Sequence, residues 1–175
     1  SKDPKRIKNQ IKVYHFKTDK SSYLEIEAPA NYSIPGEFEE RVFIALTKIM
    51  KNNNYSRRFV VSASEILETL GLTNFFYYKK IKDALTLLSK TNYTFLNSLY
   101  SNKESGIIEK KIMSNIMNIT IISKKDSRAK EIEAFEDGRI KEVYEINFTD
   151  YFYENIIRKG YLAFDSGKLL AIENS

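Results

Sequence analysis

Two short amphipathic stretches, joined by a tight connector, constrain the fold of this chain most. The first begins in Ser62-Ala63-Ser64-Glu65, an S-x-x-E sequence typical of a helix N-terminus, and ends at Gly71, a residue type that commonly stops helices. The second covers residues 75–89, directly after the connector Leu72-Thr73-Asn74. Two helices separated by so few residues pack against each other as a helical pair.

A longer helix precedes this pair. Residues 37–52 carry apolar side chains at three- and four-residue spacings, which predicts an amphipathic helix with a buried stripe of Val42, Phe43, Leu46, Ile49 and Met50. Phe59-Val60-Val61 indicates a short strand between this helix and the pair. The same periodicity in the last helix of the pair predicts a buried stripe of Tyr78, Ile81, Leu85 and Leu88.

After residue 89 the hydrophobic period changes from about 3.6 to 2. Strands are expected at residues 23–27, 93–100, 113–123 and 143–148, with a hairpin turn at Asp137-Gly138. A short helix is expected at residues 149–157, and residues 168–174 are apolar enough to begin another. This order predicts an α+β fold, a winged helix in which a helix-turn-helix is followed by an antiparallel β wing. Residues 1–20 are expected to be a loosely ordered basic arm, and residues 21–175 the winged-helix domain.

Positive charge is concentrated in two parts of the chain. Residues 1–20 have seven Lys/Arg against two acids, and residues 73–130 have eleven against four, a local charge of +7. Residues 131–175 have five against ten, a local charge of −5. Such asymmetry is typical of a face that binds a polyanion, although a solvated lysine-rich surface gives the same pattern.

In a helix-turn-helix, the second helix presents its solvent side to the major groove of DNA. On that side the sequence predicts phosphate contacts from Lys79, Lys80 and Lys82, while Thr73, Asn74 and Tyr77 form the N-terminal tip. Asn74 is a residue type that reads adenine. The turn at residues 101–106 is expected to form a basic wing tip with Lys103, Lys110 and Lys111, and Arg57 and Arg58 are further candidates for phosphate contact.

The residue inventory argues against catalysis. The chain has no cysteine and one histidine, His15, so neither a thiolate site nor a paired-histidine metal site can form from it. The sequence contains neither a P-loop nor a G-x-G-x-x-G motif. We therefore expect no catalytic residues, no metal and no cofactor. Because no run of 18 apolar residues occurs, we expect no membrane span and no membrane partner. The absence of cysteine and of a secretory signal suits a cytoplasmic location.

Four stretches resemble the plasmid replication initiator protein A family, which is related to iteron-binding Rep initiators. They are FEERVFIAL at residues 38–46, FVVSASEILETLGL at 59–72, YYKKIKDALTLL at 77–88 and YEINFTDYFYENI at 144–156. The resemblance spans roughly residues 23–172. It implies a DNA-binding initiator that binds repeats in duplex plasmid origin DNA and helps to start plasmid replication. It also implies a homodimer, contacts with host replication proteins and a second winged-helix domain after Ser175.

Two further functions fit the same pattern. A winged helix can serve as a dimerisation or protein-interaction module, and the acidic residues 131–175 could meet a basic face of another protomer. The same fold also serves transcriptional repressors. Only the family resemblance favours an initiator over a repressor.

Overall fold

The computed structural model of the chain describes residues 10–16, 19–96, 100–101, 106–107, 111–157, 161–163 and 169–171. Its helices are α1 (Glu37–Asn52), α2 (Ala63–Thr69), α3 (Tyr77–Lys90) and α4 (Asp150–Phe152), the last continuing as a π-helical turn, Tyr153–Ile157. Its strands are β1 (Gln10–Phe16), β2 (Asp19–Ala28), β3 (Arg58–Val61), β4 (Asn92–Leu96), β5 (Tyr100–Ser101), β6 (Gly106–Ile107), β7 (Lys111–Asn115), β8 (Met117–Ser123), β9 (Glu142–Phe148), β10 (Tyr161–Ala163) and β11 (Leu169–Ala171).

The helix boundaries in the helix-turn-helix follow from local sequence. Ser62 caps α2, because its Oγ accepts a hydrogen bond from the Glu65 backbone N–H at 3.1 Å. After α2, Gly71 adopts a φ of +72°, the left-handed conformation that ends a helix, and the Leu72 N–H donates to the Leu67 carbonyl at 3.0 Å. The predicted capping and stop signals are therefore confirmed.

The strands that complete the winged helix form a three-stranded antiparallel sheet in the order β3-β9-β8. Strand β3 lies between α1 and α2 in the chain, and β9 returns to pair with it. Together with α1, α2 and α3, this sheet makes an α+β winged-helix fold, as the sequence predicted. We define the wing as β8, β9 and the connecting residues 124–141.

The hairpin that directly follows α3 is not the wing, which corrects the sequence-based prediction. Strands β4 and β7 pair with each other, and β4 also pairs with β2, in a second sheet of order β1-β2-β4-β7. Lys111 therefore lies on an edge strand of this four-stranded sheet. Lys103 and Lys110 lie outside the described residues.

The predicted strand at 113–123 is divided between the two sheets at Ile116. There the Thr149 hydroxyl donates to the carbonyls of Asn115 and Ile116 at 2.8 and 3.1 Å, and the Thr149 backbone N–H donates to Ile116 at 3.0 Å. The Asn115 amide donates to the carbonyls of Ser89 and Met117. These hydrogen bonds satisfy backbone carbonyl groups that have no partner strand at the point where the chain passes from one sheet to the other.

Both ends of the chain differ from the sequence-based expectation. Strand β1 falls within the stretch expected to be a loose arm, and it pairs with β2 along its length. Its Ile11-Lys12-Val13 alternation is a two-residue period that the surrounding charges obscured. Residues 169–171 pair with residues 161–163 as an antiparallel strand, where a helix was expected, because the apolar segment finds a strand partner six to ten residues earlier in the chain.

One core joins the helices to both sheets. The predicted stripe of α1 is buried, as are Ile81, Leu85 and Leu88 of α3. Phe148 of β9 packs against Phe43 of α1 and Phe59 of β3, with both pairs of ring centroids 5.9 Å apart. The wing has a smaller core of its own, consisting of Ile122, Ala129, Phe135 and Val143.

Replacing Phe148 with alanine should destabilise the domain strongly. The side chain is 1% exposed and joins α1 to the central strand of the winged-helix sheet, so its removal leaves a cavity. We expect a loss of about 3–5 kcal/mol in the free energy of unfolding, measured by urea denaturation. Met113→Ala, at a side chain that is 72% exposed, is the control. A loss for Phe148→Ala no larger than the control's would contradict this packing.

Candidate nucleic-acid interface

A groove of about 790 Å³ separates the exposed face of α3 from the wing. One wall comes from the start of α3, the other from the end of the wing connection and the start of β9, and the beginning of α2 lies alongside. The lining residues are Ser62, Ala63, Ser64, Phe75, Tyr78, Lys79, Lys82, Asp137, Arg139, Ile140, Lys141, Glu142 and Tyr144. We call it the α3–wing groove.

The tip of α3 is an ordered turn that begins at Asn74. The Asn74 Oδ1 accepts a hydrogen bond from the Phe76 backbone N–H at 2.9 Å, and the Asn74 carbonyl accepts one from Tyr77 at 3.1 Å. Thr73 and Asn74 are both exposed. The sequence pointed to Asn74 as a reader of adenine, but here its side-chain oxygen holds the turn.

Tyr77 and Tyr78 exchange the roles that the sequence predicted. Tyr77 is half-buried and stacks on Phe38 of α1 with ring centroids 6.3 Å apart, whereas Tyr78 is 41% exposed and lines the groove. Viewed down the helix axis, with about 100° between successive residues, Tyr77 lies on the same side of Ile81 as the buried Ala84 and Leu87. The buried arc of α3 is therefore displaced toward Tyr77, and the prediction that Tyr78 belongs to the core was wrong.

The three predicted lysines of α3 do not share one surface. Lys79 is exposed in the groove, and Lys80 lies outside its lining, with Nζ 4.2 Å from the ring centroid of Phe38. Lys82 lines the groove but forms an ion pair with Glu142 of β9, Nζ to Oε1, at 2.9 Å. Of these three lysines, Lys79 therefore lines the groove and forms no ion pair with a described residue.

Glu142 also receives a hydrogen bond from Tyr144. The Tyr144 hydroxyl donates to Oε1 of Glu142 at 3.0 Å. Burial raises the pKa of Tyr144 well above its ordinary value, and the negative charge of Glu142 and the hydrogen bond to it raise it further. Lys82, Glu142 and Tyr144 therefore form one network that links α3 to β9 across the floor of the groove.

The wing contributes two cations that the sequence reasoning missed, Arg139 and Lys141. They follow the turn at Asp137-Gly138, which the sequence did predict, and the turn is closed by a hydrogen bond from the Ile140 N–H to the Asp137 carbonyl at 3.1 Å. Nε and Nη2 of Arg139 bind the two carboxylate oxygens of Asp137 at 3.1 and 3.0 Å. That pairing lowers the pKa of Asp137 and raises the pKa of Arg139.

The structure places Arg57 and Arg58 away from the groove. They are at the end of β3 opposite to Ser62, where Arg57 forms an ion pair with Asp150 and Arg58 binds Glu145 at 2.9 Å. Arg57 lines a separate, shallower depression of about 410 Å³. The predicted site residues thus fall into a group in or beside the groove and a group elsewhere, which includes Arg57, Arg58 and Lys111.

The groove combines a helix face, a wing and two lysines, Lys79 and Lys141, that form no ion pair with a described residue. These features are suited to binding a polyanion. Among the described residues, no three His, Asp or Glu side chains come together as metal ligands. No helix in the described part of the chain is long and apolar enough to cross a membrane.

Comparison with solved structures identifies the same fold in RctB, a replication initiator of Vibrio chromosome II. A selenomethionine crystal structure of RctB domains 2 and 3 matches 86% of this chain with a TM-score of 0.56 at 15% identity. A second crystal structure of these domains matches 86% of it with a TM-score of 0.54 at 15% identity. This chain spans about half of the RctB chains, 54% and 55%. No protein-family model and no curated protein sequence matches this chain.

The raised pKa of Tyr144 can be tested by titrating its hydroxyl group. At pH 11 an ordinary tyrosine, with a pKa near 10, is about nine-tenths ionised, whereas Tyr144 should remain protonated. Glu142→Gln should lower the pKa of Tyr144, because it removes the carboxylate charge, yet leave it above 10 because burial persists. Tyrosine Cζ chemical shifts, assigned with Tyr144→Phe, measure both values. A Tyr144 that ionises with the exposed tyrosines would contradict the network.

Proposed function

We propose that this chain is a DNA-binding domain of a replication initiator and that it binds duplex DNA in the α3–wing groove. The observation that carries the proposal is the placement of Lys79, Arg139 and Lys141 around one groove between the second helix of a helix-turn-helix and the wing. In this fold the second helix enters the major groove of DNA. Cations beside it bind the adjacent phosphates and release counterions.

The initiator role rests on two separate resemblances. The fold is similar to that of domains of RctB, and the four sequence stretches resemble plasmid initiators. We propose that the bound DNA consists of repeats in a plasmid origin, that a second domain accompanies this one, and that a homodimer recruits host replication proteins in the cytoplasm. Binding without catalysis is part of the same proposal.

One observation favours an interaction module as the second candidate. The face of the four-stranded sheet opposite to the core exposes Ile11 and Val13 of β1 and Met113 of β7. Apolar side chains on an open sheet face are common in protein–protein contacts. A domain that binds through this face would form dimers and would be indifferent to changes in the α3–wing groove.

Lys79→Ala combined with Lys141→Ala should weaken DNA binding and its salt dependence. Each lysine that contacts a phosphate contributes about one unit to the slope of log affinity against log salt, so the double variant should lose about two units. Fluorescence anisotropy on a 30-base-pair duplex between 50 and 200 mM salt measures this slope. Lys48→Ala with Lys51→Ala, two exposed lysines of α1, is the control with equal charge change.

Equal slopes for the groove variant and the α1 variant would mean that only net charge matters, which would contradict binding in the groove. Absence of binding by the wild-type domain at low salt, together with a dimer in sedimentation, would favour the interaction module instead.

Glu142→Gln should strengthen DNA binding, because it removes an acid from the groove and frees Lys82 to contact a phosphate. We expect a gain on the order of threefold to tenfold at 100 mM salt, with a slope steeper by about one unit. Glu145→Gln is the matched control, since Glu145 lies on the same strand as Glu142 and pairs with Arg58 of β3, outside the groove. If Glu145→Gln strengthens binding as much as Glu142→Gln does, the DNA path includes Arg58 and the groove assignment is wrong.

A further inference from the structure

Two phenylalanines stand in solvent at the N-terminal tip of α3. Phe75 is 66% exposed and Phe76 is 76% exposed, and their ring centroids are 4.8 Å apart. Leaving two adjacent aromatic side chains in water forgoes the burial that each would gain in a core or at an interface.

The backbone presents this aromatic pair in a fixed position. The hydrogen bond from the Phe76 N–H to Asn74 Oδ1 closes the turn on one side. On the other side, Tyr77 is anchored by its stacking on Phe38 and by its packing against the core. Because both flanks are held, the rings project from an ordered turn, in the position from which a helix-turn-helix contacts base edges.

The charges around the pair favour a polyanion over an apolar protein surface. Lys79 and Lys80 follow within one turn, and α3 has no acid in its first turn. Across the groove that Phe75 lines stand Arg139 and Lys141, together with Asp137 and Glu142, each of which is already paired with a cation, Arg139 and Lys82 respectively. An apolar pair followed by two lysines on the same helix matches the major groove of DNA, where phosphates flank the edges of the bases.

We infer that Phe75 and Phe76 contact the C5-methyl groups of thymines, so that the domain favours A·T-rich duplex DNA. The thymine methyl is the apolar group that base pairs display in the major groove, and phenylalanine is a residue type that contacts it. Burial of one methyl group changes an affinity by about fourfold. This inference rests on the proposed DNA binding and adds a base preference to it.

Replacing thymine by uracil tests the inference, because it removes only the methyl group. We would measure the affinity of the wild-type domain and of a Phe75→Ala/Phe76→Ala variant for an A·T-rich duplex and for the same duplex with uracil in place of thymine. The wild type should lose on the order of fourfold to tenfold on the uracil duplex. The variant should bind the thymine duplex more weakly and should not distinguish the two duplexes. Met113→Ala should behave as the wild type does.

Three results would overturn the inference and leave the proposed DNA binding standing. The wild type could bind both duplexes equally with a steep salt slope, in which case DNA binding stands and the methyl contact fails. The variant could weaken on both duplexes and retain the wild-type preference for thymine, which would assign that preference to other residues. The variant could also turn a wild-type dimer into a monomer without affecting DNA affinity, which would make the aromatic pair a protein interface. If the wild type binds neither duplex at low salt, the proposed function and this inference fail together.

Discussion

The central position of β9 is the constraint on which the groove depends. It pairs antiparallel with β3 on one side and with β8 on the other. Its side chains Tyr144, Ile146 and Phe148 point to one face of the sheet and are buried. Phe148 connects the strand to α1, while Glu142, at its other end, binds Lys82 of α3. This strand of the wing is therefore fixed to both α1 and α3, which sets the distance between the helix face and the wing. The ion pair is formed by half-exposed groups, so the buried aromatic contact stabilises this arrangement more than the ion pair does.

The helical half of this fold could be predicted from sequence because its signals are local. The Ser62 cap and the Gly71 stop each act within a few residues, and the stripe of α1 is a clear helical period. Strand partners are set by contacts far apart in sequence. Thr149, which lies 33 positions further along the chain, hydrogen-bonds to Ile116 at the point where the chain passes between the sheets. The alternation of apolar residues alone therefore could not reveal that residues 113–123 are divided between two sheets.

The candidate site was only partly predictable, for a physical reason in each case. The +7 block at residues 73–130 pointed to Lys79, but it also includes Lys111, which lies in the other sheet. Arg139 and Lys141 belong to a segment with a local charge of −5, so averaging over the segment concealed them. The exposed Phe75 could not be distinguished from a core residue by hydrophobicity, since exposure depends on where the helical turn begins. The signal that could have found the wing cations was their position just after a predicted hairpin turn.

Amide chemical shifts recorded during titration with an A·T-rich duplex test the central claim most directly, because they map the bound surface without any substitution. Binding in the α3–wing groove predicts the largest changes in residues 74–82 and 137–142, with little change along β1 and β7. Changes confined to the four-stranded sheet, with the groove unaffected, would contradict the account.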